Sequence, residues 1–230
     1  MSEIIFHPYR GASLWLARQI RDLPHPSGQK MPLEIESKFY VHNLPAIEAR
    51  LKTLGAVCRV PRQLETNLRF DDAQNRLQTE RNVLRLRRYD EARLTFKSGK
   101  TSANGVATRQ EIEVSVSDFE QTRALLEGLG FRVFFTYEKY RAMYELEAAS
   151  ITLDELPFGN FVEIEAETPA EIARLAQRLG LNPAAASAES YHGLFQHLKS
   201  ARGLTARDLT FDTFSHQIFA PSDMKVTLAD

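Results

Sequence analysis

Charged side chains recur at every second position in six separate stretches of this sequence. In the first stretch, Glu34, Glu36 and Lys38 alternate with Ile35 and Ser37. Side chains at positions i and i+2 of a β-strand point to the same face of the sheet. The other five stretches are Arg85/Arg87, Arg93/Thr95/Lys97, Glu111/Glu113, Lys139/Arg141 and Glu163/Glu165. The chain is therefore expected to form a β-rich fold in which several strands each carry a row of charges.

These charged faces could lie outside or inside the fold. A charged face on an antiparallel strand is ordinarily solvated, and each stretch taken alone is compatible with that arrangement. Two features favour the interior: like charges are grouped on separate strands, and several amphipathic helices could cover the apolar faces from outside. A barrel with charged walls folds only if its cations and anions partly neutralise one another.

Hydrophobic spacing and turn residues predict an α+β fold. Strands are predicted over residues 33–41, 64–71, 82–89, 93–98, 108–116, 132–146, 150–156 and 160–168, and helices over 44–54, 118–129, 169–179 and 189–201. Gly55, Gly130 and Gly180 follow the first three helices, as expected of residues that end a helix.

Three parts are predicted along the chain. Residues 31–202 form the barrel domain, and residues 203–230 form a C-terminal tail with no assigned structure. Residues 1–30 are an N-terminal extension, either loose or docked as a short helix on the barrel, or sequence upstream of a misassigned start.

Composition excludes several classes of site. The net charge of −1 gives no overall field toward nucleic acid or membrane, so neither is an expected partner. Cys58 is the only cysteine, which excludes an intrachain disulfide and a zinc cluster of several cysteines. No apolar run is long enough for a transmembrane helix, and the expected location is the cytoplasm.

The charges suit a triphosphate that is bound together with a divalent cation. Arginine forks match phosphate oxygens in pairs, and lysine supplies a compact positive charge. Carboxylates would repel phosphate unless they hold a hard cation, and Mg²⁺ commonly shares its oxygen ligands with substrate phosphates. No cluster of histidines and cysteines competes for a softer metal.

The ordered set of motifs resembles the CYTH family, the triphosphate tunnel metalloenzymes, which include class IV adenylate cyclases and thiamine triphosphatases. The resemblance covers about residues 32–200. The motifs that carry it are Glu34-x-Glu36-x-Lys38, Leu84-Arg85-Leu86-Arg87, Thr95-Phe96-Lys97, Arg109-Gln110-Glu111-Ile112-Glu113, Lys139-Tyr140-Arg141, Leu153-Asp154-Glu155-Leu156 and Phe161-Val162-Glu163-Ile164-Glu165.

The resemblance implies a closed antiparallel tunnel of eight strands with helices packed outside, and it implies Mg²⁺ or Mn²⁺ as cofactor. The implied metal ligands are Glu34, Glu36, Asp154, Glu163 and Glu165, with Glu111 and Glu113 as additional acidic residues. The implied phosphate contacts are Lys38, Arg85, Arg87, Lys97, Lys139 and Arg141, with Arg69 as a weaker match. Family members often carry a lysine before a Ser-Tyr pair, but here Glu189 precedes Ser190 and Tyr191.

Three functions are compatible with such a site. The leading hypothesis is a metal-dependent phosphohydrolase acting on tripolyphosphate, thiamine triphosphate or ATP. Lys38 and Lys97 are its candidate catalytic residues, and Lys97 would accept a proton on the condition that cations surround it. The second is a class IV adenylate cyclase that releases pyrophosphate, and the third is a non-catalytic module that binds polyphosphate or nucleotide. A homodimer is a further expectation.

Overall fold

The computed structural model describes residues 32–215 and 217–230. The predictions for residues 1–30 lie outside this part of the chain. The eight strands are β1 Leu33–Val41, β2 Val57–Asp71, β3 Val83–Arg88, β4 Ala92–Ala103, β5 Val106–Val116, β6 Arg132–Leu146, β7 Ala149–Leu156 and β8 Gly159–Glu165. The helices are α1 Leu44–Thr53, α2 Arg76–Thr79, α3 Phe119–Gly128, α4 Pro169–Arg178 and α5 Tyr191–Arg202.

The eight strands form one antiparallel sheet that closes into a ring, in the order β1-β5-β4-β3-β2-β6-β7-β8. Strand β1 closes the ring because it pairs with β5 on one side and with β8 on the other. Lys38 lies opposite Glu163 in the β1–β8 register, and Glu65 lies opposite Lys139 in the β2–β6 register. The registers therefore place charged residues of neighbouring strands on one shared face.

Helices cover the outer face of the ring in two places. Helices α1 and α4 pack on β1, β6, β7 and β8 through a buried cluster that includes Phe39, Ile47, Leu51, Ile164 and Leu175. Helix α3 covers β2 and β3 through a second cluster made of Leu68, Phe70, Leu84, Leu86, Phe119 and Leu126. The apolar face of these strands is thus turned outward, and the charged face is turned into the ring.

A third apolar cluster covers one end of the interior. Tyr40, Tyr137 and Phe161, which share a strand face with the charged residues, pack there against Tyr191 and Phe195 of α5. The segment after α5 joins this cluster through Leu209, Phe214 and Met224, which are buried. Ala229 N also donates a hydrogen bond to Tyr40 O over 2.9 Å. Residues 203–215 and 217–230, which the sequence leaves without assigned structure, thus pack on the ring.

The structure differs from the sequence prediction at several strand ends and in one short helix. Strand β2 begins at Val57 instead of residue 64, and α2 has no counterpart among the predicted helices. Strand β8 ends at Glu165 because Thr168 caps α4, accepting a hydrogen bond from Glu171 N. Strands β4 and β5 run on into a long hairpin, closed by Asn104 and Gly105 with φ of 49° and 76°, as an Asn-Gly type I′ turn requires.

No helix in the described part of the chain is both long enough and apolar enough to span a membrane.

The outer cover is tested by the same substitution at two leucines. Leu51 of α1 is 0% exposed, whereas Leu125 of α3 is 64% exposed. We expect Leu51→Ala to lower the free energy of unfolding by about 3 kcal/mol, because it removes apolar contacts and leaves a cavity. Leu125→Ala should change it by less than about 0.5 kcal/mol. Urea unfolding of both variants measures the difference, and equal losses would contradict this packing.

Candidate functional site

The interior of the ring is built from charged side chains on all eight strands. The residues predicted on charged faces are joined there by Glu65, Arg69 and Arg109, which are 0%, 9% and 6% exposed. Inward-facing charges alternate with outward-facing apolar residues, so each strand contributes to both the interior and the outer core. The location of the charged faces inside the fold, which the sequence left open, is therefore decided by the structure.

Several carboxylates inside the ring are fully engaged by cations. Glu65 accepts from Arg87 over 3.0 Å and lies 3.4 Å from the Lys139 ammonium. Although burial opposes ionisation, Lys139, Arg141 and Arg87 lower the pKa of Glu65 well below its ordinary value. Arg87 also donates to Glu113 over 3.1 Å. These ion pairs neutralise one side of the interior.

Asp154 lies at the centre of a second buried cluster. Its carboxylate accepts hydrogen bonds from Arg141 (2.6 and 2.5 Å), Lys139 (3.2 Å) and the Tyr191 hydroxyl (2.7 Å), and it is 0% exposed. Asp154 thus joins strands β6 and β7 to the first residue of α5. Arg141 also reaches Glu163 over 3.3 Å.

A cavity opens inside the ring, and its walls are predominantly cationic. Seven cationic residues line it: Lys38, Arg69, Arg85, Lys97, Arg109, Lys139 and Arg141. Only two carboxylates, Glu36 and Glu163, line it with them. The first turn of α5 contributes Ser190, Tyr191 and His192. The walls therefore carry an excess of positive charge, and the positive end of a helix dipole adds to it.

Three guanidinium groups at the cavity keep a buried donor without a partner in the part that the structure describes. Arg69 makes no ion pair with a residue in the described part of the chain, and its nearest aromatic contact is Phe134, 5.7 Å from the ring centre. Burial and the charges of Arg85 and Arg109 together lower the pKa of Arg69 to about 10. The buried Nε groups of Arg69, Arg85 and Arg109 have no hydrogen-bond partner among the described residues. Such donors favour an anion rich in acceptor oxygens.

Acidic side chains gather at another part of the interior, around Lys97. Lys97 donates to Glu34 and lies 3.3 Å from Glu111. The nearest charged partners of Lys97 are thus two carboxylates, whereas its predicted role as a proton acceptor requires surrounding cations, and that role stays a prediction. Partial burial and the carboxylates of Glu34 and Glu163 together raise the pKa of Glu165 to about 7.

The oxygen atoms of these carboxylates are the kind of ligand that a hard divalent cation binds. One oxygen of Glu34 is buried and has no hydrogen-bond partner among the described residues. A cation between Glu34, Glu163 and Glu165 would offset their mutual repulsion, and Mg²⁺ prefers oxygen ligands. As arranged here, however, no three acidic, histidine or cysteine side chains of the described chain are close enough to hold a metal ion. Glu36 is drawn toward Lys38 and Arg109 instead, over 2.8 and 3.1 Å.

Comparison with known proteins agrees with this geometry. The profile of the CYTH domain matches residues 32–183. The chain belongs to the CYTH domain family. A protein of Methanocaldococcus jannaschii named "Putative adenylate cyclase" is 27% identical over 135 residues, which cover 58% of this chain and 76% of that protein.

Solved structures of CYTH-type proteins share the fold. A "putative adenylate cyclase" from Vibrio parahaemolyticus superposes with a TM-score of 0.66 at 21% identity, covering 73% of this chain and 99% of that one. A Hippeastrum protein, described as a "putative adenylyl cyclase" with a dominant triphosphatase activity, has a TM-score of 0.54 at 22% identity. That match covers 71% of this chain and 95% of the Hippeastrum chain.

The predicted CYTH site residues occupy different places in the structure. Five predicted phosphate contacts line the cavity, namely Lys38, Arg85, Lys97, Lys139 and Arg141. Arg87 does not line it, because Glu65 and Glu113 hold its guanidinium. Among the predicted metal ligands, Glu34, Glu163 and Glu165 are electrostatic neighbours, whereas Asp154 is surrounded by cationic and hydroxyl donors.

Sequence reasoning missed several residues of the interior. Arg109 was quoted within a motif without a role, and Glu65, Tyr137 and His192 were not singled out. A signal was present for Glu65, because Glu65, Asn67 and Arg69 alternate along β2. Their mixed chemistry hid the pattern, since the other charged strands stand out by pairs of like charge. Glu189 directly precedes the α5 cap Ser190, so a carboxylate stands where family members often carry lysine.

Removing charge from the cavity should separate unpaired from paired arginines. We expect Arg69→Met to raise the free energy of unfolding by about 1–3 kcal/mol, because it relieves a buried and poorly neutralised charge. Arg141→Met should lower it by about 3 kcal/mol, because Asp154 and Glu163 lose a buried partner. Chemical denaturation at pH 7 measures both effects. A loss of stability in both variants would contradict the charge imbalance.

His192 should make the fold sensitive to mild acid. Burial and the charges of Arg69 and Lys199 together lower the pKa of His192 to about 4. Below pH 6.5 the His192 imidazole binds a proton in the unfolded chain but not in the folded chain. Stability therefore falls as the pH drops from 6.5 toward 4. Between pH 7 and pH 5 we expect this loss to be about 1–2 kcal/mol. The His192→Gln variant should lose less stability over that interval, and an unchanged pH dependence would refute the assignment.

Proposed function

We propose that this protein hydrolyses a triphosphate compound with the help of a divalent cation, Mg²⁺ or Mn²⁺. The observation that carries the proposal is the cavity inside the ring, which seven cationic side chains and only two carboxylates line. An excess of buried positive charge is costly for the free protein. A polyphosphate chain would offset that cost, because its oxygens accept hydrogen bonds from many donors at once.

The phosphate-binding role belongs to the cations on the cavity wall. Lys38, Arg85, Lys97, Lys139 and Arg141 keep their predicted role as phosphate contacts, and Arg69 and Arg109 join them. Arginine and lysine groups fixed in advance around a phosphoryl group stabilise the charge that shifts between the transferred and leaving oxygens. Asp154 holds Arg141 and Lys139 in place from behind, which limits the reorganisation they need.

The carboxylates near Lys97 would hold the divalent cation. Glu34, Glu36, Glu163 and Glu165 are the candidate ligands, and Asp154 stays a predicted ligand that would first have to exchange hydrogen-bond partners. A bound divalent cation would orient the phosphates and supply an activated water. The surrounding protein contributes a charged enclosure from which α5 and its apolar cluster exclude bulk water at one end.

The lining of the cavity supports a compact substrate. Apart from the tyrosines and His192, Val83 is its only apolar wall residue within the described part of the chain. A pocket for a large aromatic base is usually lined by apolar and aromatic side chains. Tripolyphosphate is therefore the first substrate to test, followed by thiamine triphosphate. The dominant triphosphatase activity in the description of the Hippeastrum protein agrees with this choice.

Adenylate cyclase activity is the second candidate, and the name of the 27% identical relative favours it. The same cations would then bind ATP so that its own 3′-oxygen attacks the α-phosphorus and pyrophosphate leaves. The wall of the cavity offers Tyr137, Tyr191 and His192 as aromatic surface for a base. A module that binds triphosphate without turnover is the third candidate.

A product assay separates the three functions. The protein is incubated with tripolyphosphate, thiamine triphosphate or ATP, each with Mg²⁺ or Mn²⁺, and the products are identified. Release of orthophosphate is the expected result, whereas cyclic AMP with pyrophosphate would establish the cyclase. Tight binding without any product would establish the non-catalytic module, and absence of binding would refute all three.

The metal-binding role is tested by Glu34→Gln combined with Glu36→Gln. The amides keep the shape of the side chains but remove the negative charges that attract a cation. We expect metal-dependent turnover to fall by roughly 100-fold, with the circular dichroism spectrum unchanged. The matched control is Glu127→Gln with Glu145→Gln, which removes the same charge from exposed positions. Activity of the site variant equal to that of the control would reject these ligands.

A further inference from the structure

A bulge in β4 changes the direction of one lysine that the predicted site does not include. Ser98 pairs with Gln110 and Thr101 pairs with Thr108, so Gly99 and Lys100 together stand opposite the single residue Arg109. Gly99 has a φ of +63°, which is the conformation of the first residue in a glycine-type β-bulge. Regular alternation would turn Lys100 outward, but the bulge keeps it on the inward face that it shares with Arg109.

The hairpin that carries this bulge is held in place by the rest of the fold. Ser37 Oγ donates to Gly105 O over 2.9 Å. Gly105 also packs so closely against Ala186 that an added Cβ would lie 2.3 Å from the Ala186 carbonyl oxygen. The segment after Ala186 is tied to β1, because Lys38 and Ser187 exchange hydrogen bonds of 3.0 and 2.8 Å between their backbones. The position of Lys100 relative to Lys38 and Arg109 is therefore defined by packing on both sides of the hairpin.

Lys100 is not itself part of the cavity wall, but it stands beside residues that are. The charges that act most strongly on it are those of Glu189, Arg109 and Lys38, followed by that of Glu36. Partial burial lowers its pKa, and Arg109 and Lys38 lower it further against the opposing effect of Glu189. Lys100 makes no hydrogen bond or ion pair of 4 Å or less with any residue that the structure describes. It is thus a partly buried cation that has a positive neighbourhood and no fixed partner.

We propose that Lys100 is a further phosphate-binding residue, which the β4 bulge delivers to the end of the cavity between Arg109 and the start of α5. This inference rests on the proposed function, since it assigns Lys100 to the same triphosphate site. A long, unattached lysine at the edge of a pocket can reach a terminal phosphate with little distortion of the fold. It would also supply positive charge on the side where Glu189, and no cation, precedes α5.

The test compares Lys100→Ala with Lys100→Arg and with Lys52→Ala as the matched control. Lys52 lies on α1, its side chain is 64% exposed, and it has the same charge as Lys100. Tripolyphosphate binding is measured by calorimetry, and KM and kcat are measured wherever there is turnover. We expect Lys100→Ala to weaken binding and raise KM by about tenfold, as the loss of one charged hydrogen bond implies. The kcat should change little, Lys100→Arg should retain most of the affinity, and Lys52→Ala should match the wild type.

The bulge itself is tested by two substitutions at Gly99. A side chain at this position would meet no atom within 4 Å, so only the backbone conformation limits what is tolerated. Gly99→Asn should preserve binding because asparagine tolerates a positive φ, whereas Gly99→Val should weaken it about as much as Lys100→Ala. If Lys100→Ala and Gly99→Val both bind like Lys52→Ala, the role of Lys100 is overturned while the proposed function stands.

A labelling experiment tests the role of Lys100 separately from the proposed function, even if the wild type binds no triphosphate. Lys100→Cys is prepared together with Cys58→Ser, which removes the exposed native thiol. Anionic and cationic methanethiosulfonate reagents are then compared. A faster reaction with the anionic reagent, slowed by added pyrophosphate, would support a place for residue 100 in a cationic, anion-binding site. Equal rates without protection would overturn the inference independently of any turnover.

Discussion

Mutual neutralisation of buried charges is the constraint on which the rest of this fold depends. The ring turns both acidic and basic side chains of its eight strands inward, and an isolated buried ion would cost several kcal/mol. Glu65 and Asp154 are both 0% exposed, and each contacts more than one cationic side chain. Glu65 thereby joins β2 to β3 and β6. Asp154 joins β7 to β6 and, through Tyr191, to α5. The apolar residues, displaced from the interior, form their cores outside the ring under α1, α3 and α4. The helical cover is thus a consequence of the charged interior as much as a support for it.

Neutralisation of charge is uneven within the interior. Arg87 makes ion pairs with both Glu65 and Glu113, and it does not line the cavity. Arg69 lines the cavity and makes no ion pair with a residue in the described part of the chain. Proteins retain such costly groups where a ligand completes their interactions, at the expense of stability in the free state. The like-signed pair Arg85/Arg87 is divided between two places: Arg87 is held in two close ion pairs, whereas Arg85 lines the cavity.

Much of the fold follows from local patterns. Charged residues at every second position, with apolar residues between them, leave few alternatives to a β-strand. The same patterns place Lys38, Arg85, Lys97, Lys139 and Arg141 on charged strand faces, while their role as phosphate contacts came from the resemblance to the CYTH family. Glu65, Arg109 and Tyr137 escaped because their partners lie on other strands, and only the register brings Glu65 opposite Lys139. The hydrogen bonds at Asp154 could not be predicted either, since they depend on where α5 begins relative to β6 and β7. Lys100 shows the clearest limit of strict alternation: one extra residue in a bulge reverses the face to which it points.

The separation of charge within the ring bears on how a metal and a polyphosphate could share it. Lys97 contacts Glu34 and Glu111 and also lines the cavity, so it stands where the acidic and cationic parts meet. Glu36 and Glu163 occupy the same boundary, but in the free protein Lys38, Arg109 and Arg141 hold their carboxylates. A phosphate chain would compete for those lysine and arginine side chains and release the carboxylates. A divalent metal ion would compete for the carboxylates and release the lysine and arginine side chains. Each ligand would therefore weaken the ion pairs that oppose the other, so binding of one should favour binding of the other by linkage.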